Sequence, residues 1–313
     1  MVFFLGILFL LYTWEKNTGS VPAAKQPAPS EDLVYYREAW YRPRKGLETV
    51  LAIGVDQAAV DGTLRRDQAY EQADFLLLLV IDRENESCSA IHINRDTMAE
   101  ISMLDDNTNE ALGTMTAQLA LAHTYGNSPT ARCRNTVAAV SGLLYGIEID
   151  YYFALTMDGI VLLNDLAGGV TVVVMDDLSE VDSELVQGET VTLQGRQALA
   201  YVQARRGLED PSNLRRMERQ RQYLESLQKQ LRLCVEGDGS FITSTILELN
   251  EYLTSDCSVE KMSALADLLE EYGVAEYRTL EGEATMGEKY VEYYVDEAAA
   301  RDMVMEMFYE EAG

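Results

Sequence analysis

The amino-acid sequence predicts an α/β layered domain. Short apolar runs of strand length recur along the chain: VLAIGVD (50–56), DFLLLLVIDR (74–83), CSAIHINRD (88–96) and VTVVV (170–174). Segments with helical spacing separate and follow them, chiefly CRNTVAAVSGLLY (133–145) and PSNLRRMERQRQYLESLQKQL (211–231). Strands and helices interleave through most of the length, the pattern of a sheet covered by helices.

The chain opens on MVFFLGILFLLYTW, an apolar run from Met1 to Trp14. It is shorter than the roughly 20 residues that span a bilayer core. With Trp14 and Lys16 suited to the headgroup level, residues 1–16 are expected to be a membrane anchor, whole or truncated, against the alternative of a buried or signal-type segment. Residues 17–45, with Pro22, Pro27 and Pro29, read as a tether, which places the globular part, 46–313, outside the cytoplasm. The polar turn DRENES joins runs 74–83 and 88–96 as a hairpin. Residues 110–126 read as a helix, 133–145 as a helix stopped by Gly146, and 147–155 as a strand. Residues 158–169 read as a helix closed by glycines and 187–206 as a turn entering a short helix. The amphipathic helix 211–231 carries Leu214, Met217, Leu224, Leu227 and Leu231 on one face, with Asp210 or Ser212 as its N-cap. The acidic part 234–313 holds helices near 259–272 and 296–310.

Fifty-two acidic residues oppose 25 basic ones, a formal charge of -27. Such a surface repels nucleic acid, so any bound anion must meet a local positive patch. Only His92 and His123 are present, which argues against a serine or cysteine hydrolase triad and against a histidine-rich metal site. The four cysteines, Cys88, Cys133, Cys234 and Cys257, form no CxxC pair. An extracytoplasmic setting permits disulfides; Cys88–Cys133 and Cys234–Cys257 are the favoured pairs, against the alternative of free buried thiols.

In the expected hairpin, Asp74 starts one strand and Arg95-Asp96 ends its neighbour, so the three lie side by side. Asp56 joins them if its strand runs parallel to 88–94. Two close carboxylates suggest a divalent cation sharing phosphate oxygens; the alternative is that these aspartates cap turns. The second feature is a cluster of six arginines in a seventeen-residue window: Arg205, Arg206, Arg215, Arg216, Arg219 and Arg221. Arginine suits bidentate phosphate contacts. Cations at a helix start are more comfortable with an anion between them and the free amides. A solvated basic face is the alternative.

Taken in order, LAIGVD, QADFLLLL, IHINRDTM, LAHTYGN, YYFALTMDGIVLLNDLAGGV, QGETVTLQGRQALAYVQARR and RRMERQRQ resemble the LytR-CpsA-Psr family of cell-wall phosphotransferases over 48–231. The tail through VEYYVDEAAARDMV resembles family members from Firmicutes. The resemblance implies a three-layer α-β-α sandwich with a central mixed sheet and an apolar pocket for a lipid chain, 234–313 being its variable C-terminal part. It implies transfer of a glycopolymer, teichoic acid or capsule, from a polyprenyl diphosphate carrier to peptidoglycan as a phosphodiester. The implied metal is Mg²⁺ (or Mn²⁺) on Asp56 and Asp74. Arg95 matches an essential diphosphate-binding arginine, Arg205 the second arginine of Arg-x-Arg, and Arg216 the arginine that opens the later helix. Arg219 and Gln220 match the Arg-Gln pair after it. Arg95, Asp74, Arg205 and Arg216 are thus the expected catalytic set. Gln203 stands where the family pattern has an arginine, and Gln118 and Ala120 also depart from it. Gln203 keeps open two other outcomes on the same site: hydrolysis of the polyprenyl diphosphate, or binding without catalysis.

Overall fold

A computed structural model describes residues 33–56, 71–204, 213–238 and 241–312. Its centre is a six-stranded mixed sheet. The strands are β3 (Leu47–Asp56), β4 (Gln72–Asp82), β5 (Ser87–Ile93), β8 (Tyr151–Thr156), β11 (Leu253–Ser255) and β12 (Glu276–Thr279), in the order β11-β8-β3-β4-β5-β12. β4 pairs antiparallel with both β3 and β5, so β3 and β5 run the same way. β8 lies parallel to β3 on its other side. The expected hairpin is present, and the condition that brings Asp56 to the edge holding Asp74 and Arg95 is met.

Both faces of the sheet are covered, because its central strands are apolar on both sides. One face buries Leu77, Leu79 and Phe153 against α2 (Met157–Leu166), α3 (Arg196–Gln203), α4 (Leu214–Gly237) and α6 (Val259–Tyr272). The other buries Leu76, Leu78 and Tyr152 against α1 (Pro129–Leu143) and α7 (Glu297–Phe308). Thr156 caps α2 and Ser128 caps α1 through their side chains. A shorter helix, α5 (Phe241–Leu249), follows α4.

Several expectations are corrected. Residues 111–118 are not helical: β7 (Ala111–Gln118) pairs with β6 (Met98–Leu104), and a 3₁₀ turn covers Leu119–Thr124. Most of β7 is solvent-exposed, so no buried face imposes a helical period. A strand, β10 (Thr190–Leu193), precedes α3 and pairs with β9 (Val170–Val173). The long helix starts at Leu214 with Asn213 as its N-cap, and that side chain makes no cap bond; Asp210 and Ser212 lie outside the described residues. The last part of the expected tether is folded: β1 (Val34–Tyr36) and β2 (Ala39–Pro43) form a hairpin closed by β15 (Tyr309–Glu311) from the other end of the chain. The C-terminal part is integral to the fold, since β11 and β12 are the edges of the main sheet. A second hairpin, β13 (Gly282–Met286) with β14 (Val291–Val295), docks where Tyr293 donates to the Asp96 carbonyl (2.9 Å).

The expected disulfides are absent: all four cysteines are free. Cys88 and Cys133 sit in the cores on opposite faces of the sheet, which lies between them. Burial pushes both thiols up to about 12, leaving them protonated and inert. Cys234 and Cys257 pack on one face without bonding. The apolar run Met1–Trp14 lies outside the described residues, and no described helix is long and apolar enough to cross a membrane.

The two histidines are buried and neutral. Burial, with Arg216 and Arg221 nearby, lowers His92 to about 3, and burial with Arg132 lowers His123 to about 4. Each takes a proton more readily in the unfolded chain, near an ordinary pKa of about 6.5. Their contribution to stability is therefore full above about pH 6.5 and falls as pH drops towards the folded values, by about 1.4 kcal/mol per pH unit per histidine. His123 is bonded to Thr136 Oγ1 at 3.1 Å. Replacing it by glutamine is expected to remove about half of the stability slope between about pH 6 and 5, read by urea denaturation. A slope equal to wild type would contradict the neutral buried state.

Candidate active site

The site forms at the carboxyl ends of β3 and β5. Asp56 is the last residue of β3. Asp74 owes its place to a β-bulge: Gly54 pairs with Phe75 but Val55 pairs with Ala73, so Asp74 is the extra residue. Ala73 and Leu76 consequently face the same core although three residues apart, while Phe75 and Leu77 face the other. A regular strand would have alternated through them.

Arg95 follows β5 and is the hub. It forms an ion pair with Asp74 through Nη1, lies 3.3 Å from Asp96 Oδ1 through Nε, and donates from Nη2 to Gln72 Oε1 at 2.5 Å. The turn that presents it is held by Asn94 Oδ1, which accepts from the Asp96 amide at 3.0 Å. Gln118 Nε2 donates to Asp96 Oδ1 (3.2 Å) and to the Val291 carbonyl (2.8 Å), joining β7, the Arg95 turn and the C-terminal hairpin. From the other side α4 delivers Arg216, 3% exposed, with Nη1 3.8 Å from Asp74 Oδ2. Burial raises the pKa of Asp56, and the positive charges of Arg95 and Arg216 and the Gln203 amide oppose that rise. Asp56, Asp74, Arg95, Asp96 and Arg216 are thus brought together.

The other expected residues divide. Arg205 and Arg206 lie outside the described residues. Gln203 ends α3 beside Asp56. Gln220 is buried and donates to the Val202 carbonyl at 3.3 Å. Arg219, expected against the diphosphate, is fully buried elsewhere. It donates to the carbonyls of Tyr201 (3.1 Å) and Ala204 and pairs with Asp176 at 2.6 Å, so all three of its nitrogens are engaged. Arg215 and Arg221 are surface residues, paired with Asp176 and Glu218 and with Glu225 respectively. Asp176, Gln72 and Gln118 were not singled out as site residues by the sequence; they are single polar residues whose partners are distant in the chain.

Beside the charged cluster lies an apolar pocket, partly open to solvent, between the sheet and α2, α3 and α4. Its walls include Ile53, Phe75, Phe153, Ile160, Tyr223 and Leu224, and Gln220 is its main polar element. Gly54 keeps it open: a Cβ there would lie 2.9 Å from Phe75 Cβ. Phe75 follows Asp74 directly and Gly54 lies two residues before Asp56, so the charged cluster and the apolar pocket adjoin.

Asp56 and Asp74 are the candidate metal ligands. Among the described residues no group of three or more His, Cys, Asp or Glu side chains gathers as a self-sufficient cage. Two carboxylates fit Mg²⁺, which takes its remaining ligands from phosphate and water. Burial holds Asp56 towards its protonated form, and a cation would restore its charge. The donor set is compatible with that ion.

A buried arginine–aspartate cluster thus borders an apolar pocket in an α/β domain. A model of the LytR_cpsA_psr family matches residues 13–308, and the chain belongs to that family. It is 30% identical over 184 residues to the polyisoprenyl-teichoic acid–peptidoglycan teichoic acid transferase TagU of Halalkalibacterium halodurans, covering 58% of this chain and 52% of that protein. It is 28% identical over 192 residues to biofilm regulatory protein A of Streptococcus mutans, covering 58% and 44%. The matches thus span about half the length of these two relatives. A TagU of Bacillus anthracis is 25% identical over 260 residues, covering 82% and 76%. Among solved structures, the fold resembles protein gbs0355 from Streptococcus agalactiae with a TM-score of 0.64 at 21% identity, covering 83% of this chain and 87% of that one. It also resembles a structure described as TagT bound to LI-WTA, with a TM-score of 0.59 at 20% identity, covering 84% and 90%.

Proposed function

We propose that this chain transfers a glycopolymer from a polyprenyl diphosphate carrier to peptidoglycan, forming a phosphodiester. The observation that carries the reading is the continuity of the Arg95–Asp74–Arg216 cluster with the apolar pocket. A diphosphate attached to an isoprenoid is matched at both ends by that arrangement, and the family supports the reaction class. The domain acts outside the cytoplasm, tethered through the apolar run Met1–Trp14.

Phosphoryl transfer is mainly positioning and charge neutralisation. Arg95 and Arg216 receive the diphosphate, and Arg205 adds a third cation. Asp56 and Asp74 would hold Mg²⁺, which when bound would supply positive charge for the phosphate oxygens. The cavity walls exclude water from the lipid side and fix the carrier so that its phosphate lies at the charged edge. In this reading Asp74 is also the base that takes the proton of the attacking sugar hydroxyl. Incubation with lipid-linked polymer, peptidoglycan and Mg²⁺ tests the reading: a covalent conjugate supports it. Release of lipid phosphate without conjugate would show a hydrolase, and binding without turnover a sensor.

Gln203 is the observation that favours the non-catalytic alternative, because an amide cannot neutralise phosphate charge beside Asp56. If it weakens the site, Gln203→Arg is expected to raise kcat/KM about tenfold, near the value of one charge-assisted contact. A neutral or lower rate would mean that the site is adapted to glutamine.

A further inference from the structure

Helix α4 presents two different pairs one turn apart. Arg216 and Gln220 face the charged cluster and the cavity. Arg215 and Arg219 face away and converge on a single carboxylate: Arg215 Nε lies 2.7 Å from Asp176 Oδ1, and Arg219 Nη1 lies 2.6 Å from Asp176 Oδ2. Asp176 is 8% exposed and follows β9 by three residues. The remaining nitrogens of Arg219 cap α3, whose last carbonyls have no partner within the helix, at Tyr201 and Ala204. Gln220 adds the Val202 carbonyl. Those bonds also fix the turn that carries Gln203.

We propose that Asp176, with Arg215 and Arg219, is a positioning clamp that sets the rotation of α4 and so aims Arg216 and Gln220 at the ligand; this rests on the diphosphate reading given above. Residues four apart share a helix face, so holding 215 and 219 against one carboxylate fixes the direction of 216 and 220. A buried ion pair adds little net stability, because desolvation offsets its attraction, but its geometry is strict. Arg219 is also left with no nitrogen for a phosphate, which distinguishes a positioning role from a direct one. A rotation of α4 by a fraction of a turn would carry Arg216 away from Asp74.

The test compares two probes on the full chain by calorimetry: farnesyl diphosphate, and farnesol, which has the same apolar body without the charge. Asp176→Asn is expected to weaken farnesyl diphosphate roughly ten- to a hundredfold and farnesol by a clearly smaller factor, because α4 also carries the wall residues Tyr223 and Leu224 but the charged contact depends on Arg216 alone. Arg219→Lys, which keeps the charge and loses the fork, is expected to behave the same way. Unchanged or tighter farnesyl diphosphate binding by Asp176→Asn overturns the clamp, because a direct phosphate ligand would be released by that change. Equal losses for both probes also overturn it, as the sign of a general packing defect. If the wild-type chain binds neither probe, the diphosphate reading itself fails. The clamp is then read by amide hydrogen exchange over 213–223: faster exchange in Asp176→Asn supports it, and unchanged exchange overturns it.

Discussion

Arg95→Ala is expected to lower transfer at least about 10²–10³-fold, the cost of losing one preorganised donor to a developing charge. The loss exceeds that of any other arginine on the described surface because Arg95 does three things at once. It supplies positive charge at the edge of the sheet, balances the buried carboxylates Asp74 and Asp96, and holds Gln72. Arg95→Lys keeps the charge and loses the fork, so it should recover part of the stability and little of the rate. The measurement is conjugate formation at saturating carrier, with circular dichroism to confirm folding. Near wild-type turnover in a folded Arg95→Ala protein would refute the site.

The second large effect concerns Asp74→Asn. Asp74 is 7% exposed and lies between Arg95 and Arg216, so its neutralisation leaves two guanidinia facing each other out of water. Breaking a buried ion pair from one side typically costs about 3–5 kcal/mol. Denaturant unfolding should show a loss of that order, and transfer should fall below detection because carboxylate and proton acceptor are lost together. A stability change under about 1 kcal/mol would mean that water already screens the cluster.

Much of this is legible in the sequence. The runs 74–83 and 88–96 have largely apolar centres, interrupted in the second by His92, and the turn between them is short enough to read as a hairpin. That alone put Asp74 beside Arg95. The direction of β3 then decided whether Asp56 joined them, and the parallel relation of β3 to β5 did so. The bulge at Asp74 was not legible, because nothing in QADFLLLL marks where the alternation skips. β7 was misread as helix because ALGTMTAQ buries almost nothing and so carries no period. The β1–β2 hairpin was hidden for another reason: its closing strand, β15, lies at the far end of the chain. The arginine cluster looked uniform in sequence, yet the helix separates it into a face that meets the ligand site and a face that meets Asp176. That division depends on one carboxylate some forty positions away, which no local pattern reveals.

The central claim is that charged cluster and apolar cavity bind one molecule by its head and its tail. A crystal structure of the protein soaked with a polyprenyl diphosphate and Mg²⁺ tests this most directly. The expected result is the isoprenoid between Phe75, Phe153 and Leu224, the diphosphate against Arg95 and Arg216, and the metal at Asp56 and Asp74. A diphosphate bound elsewhere, or a lipid chain lying outside the cavity, would contradict it.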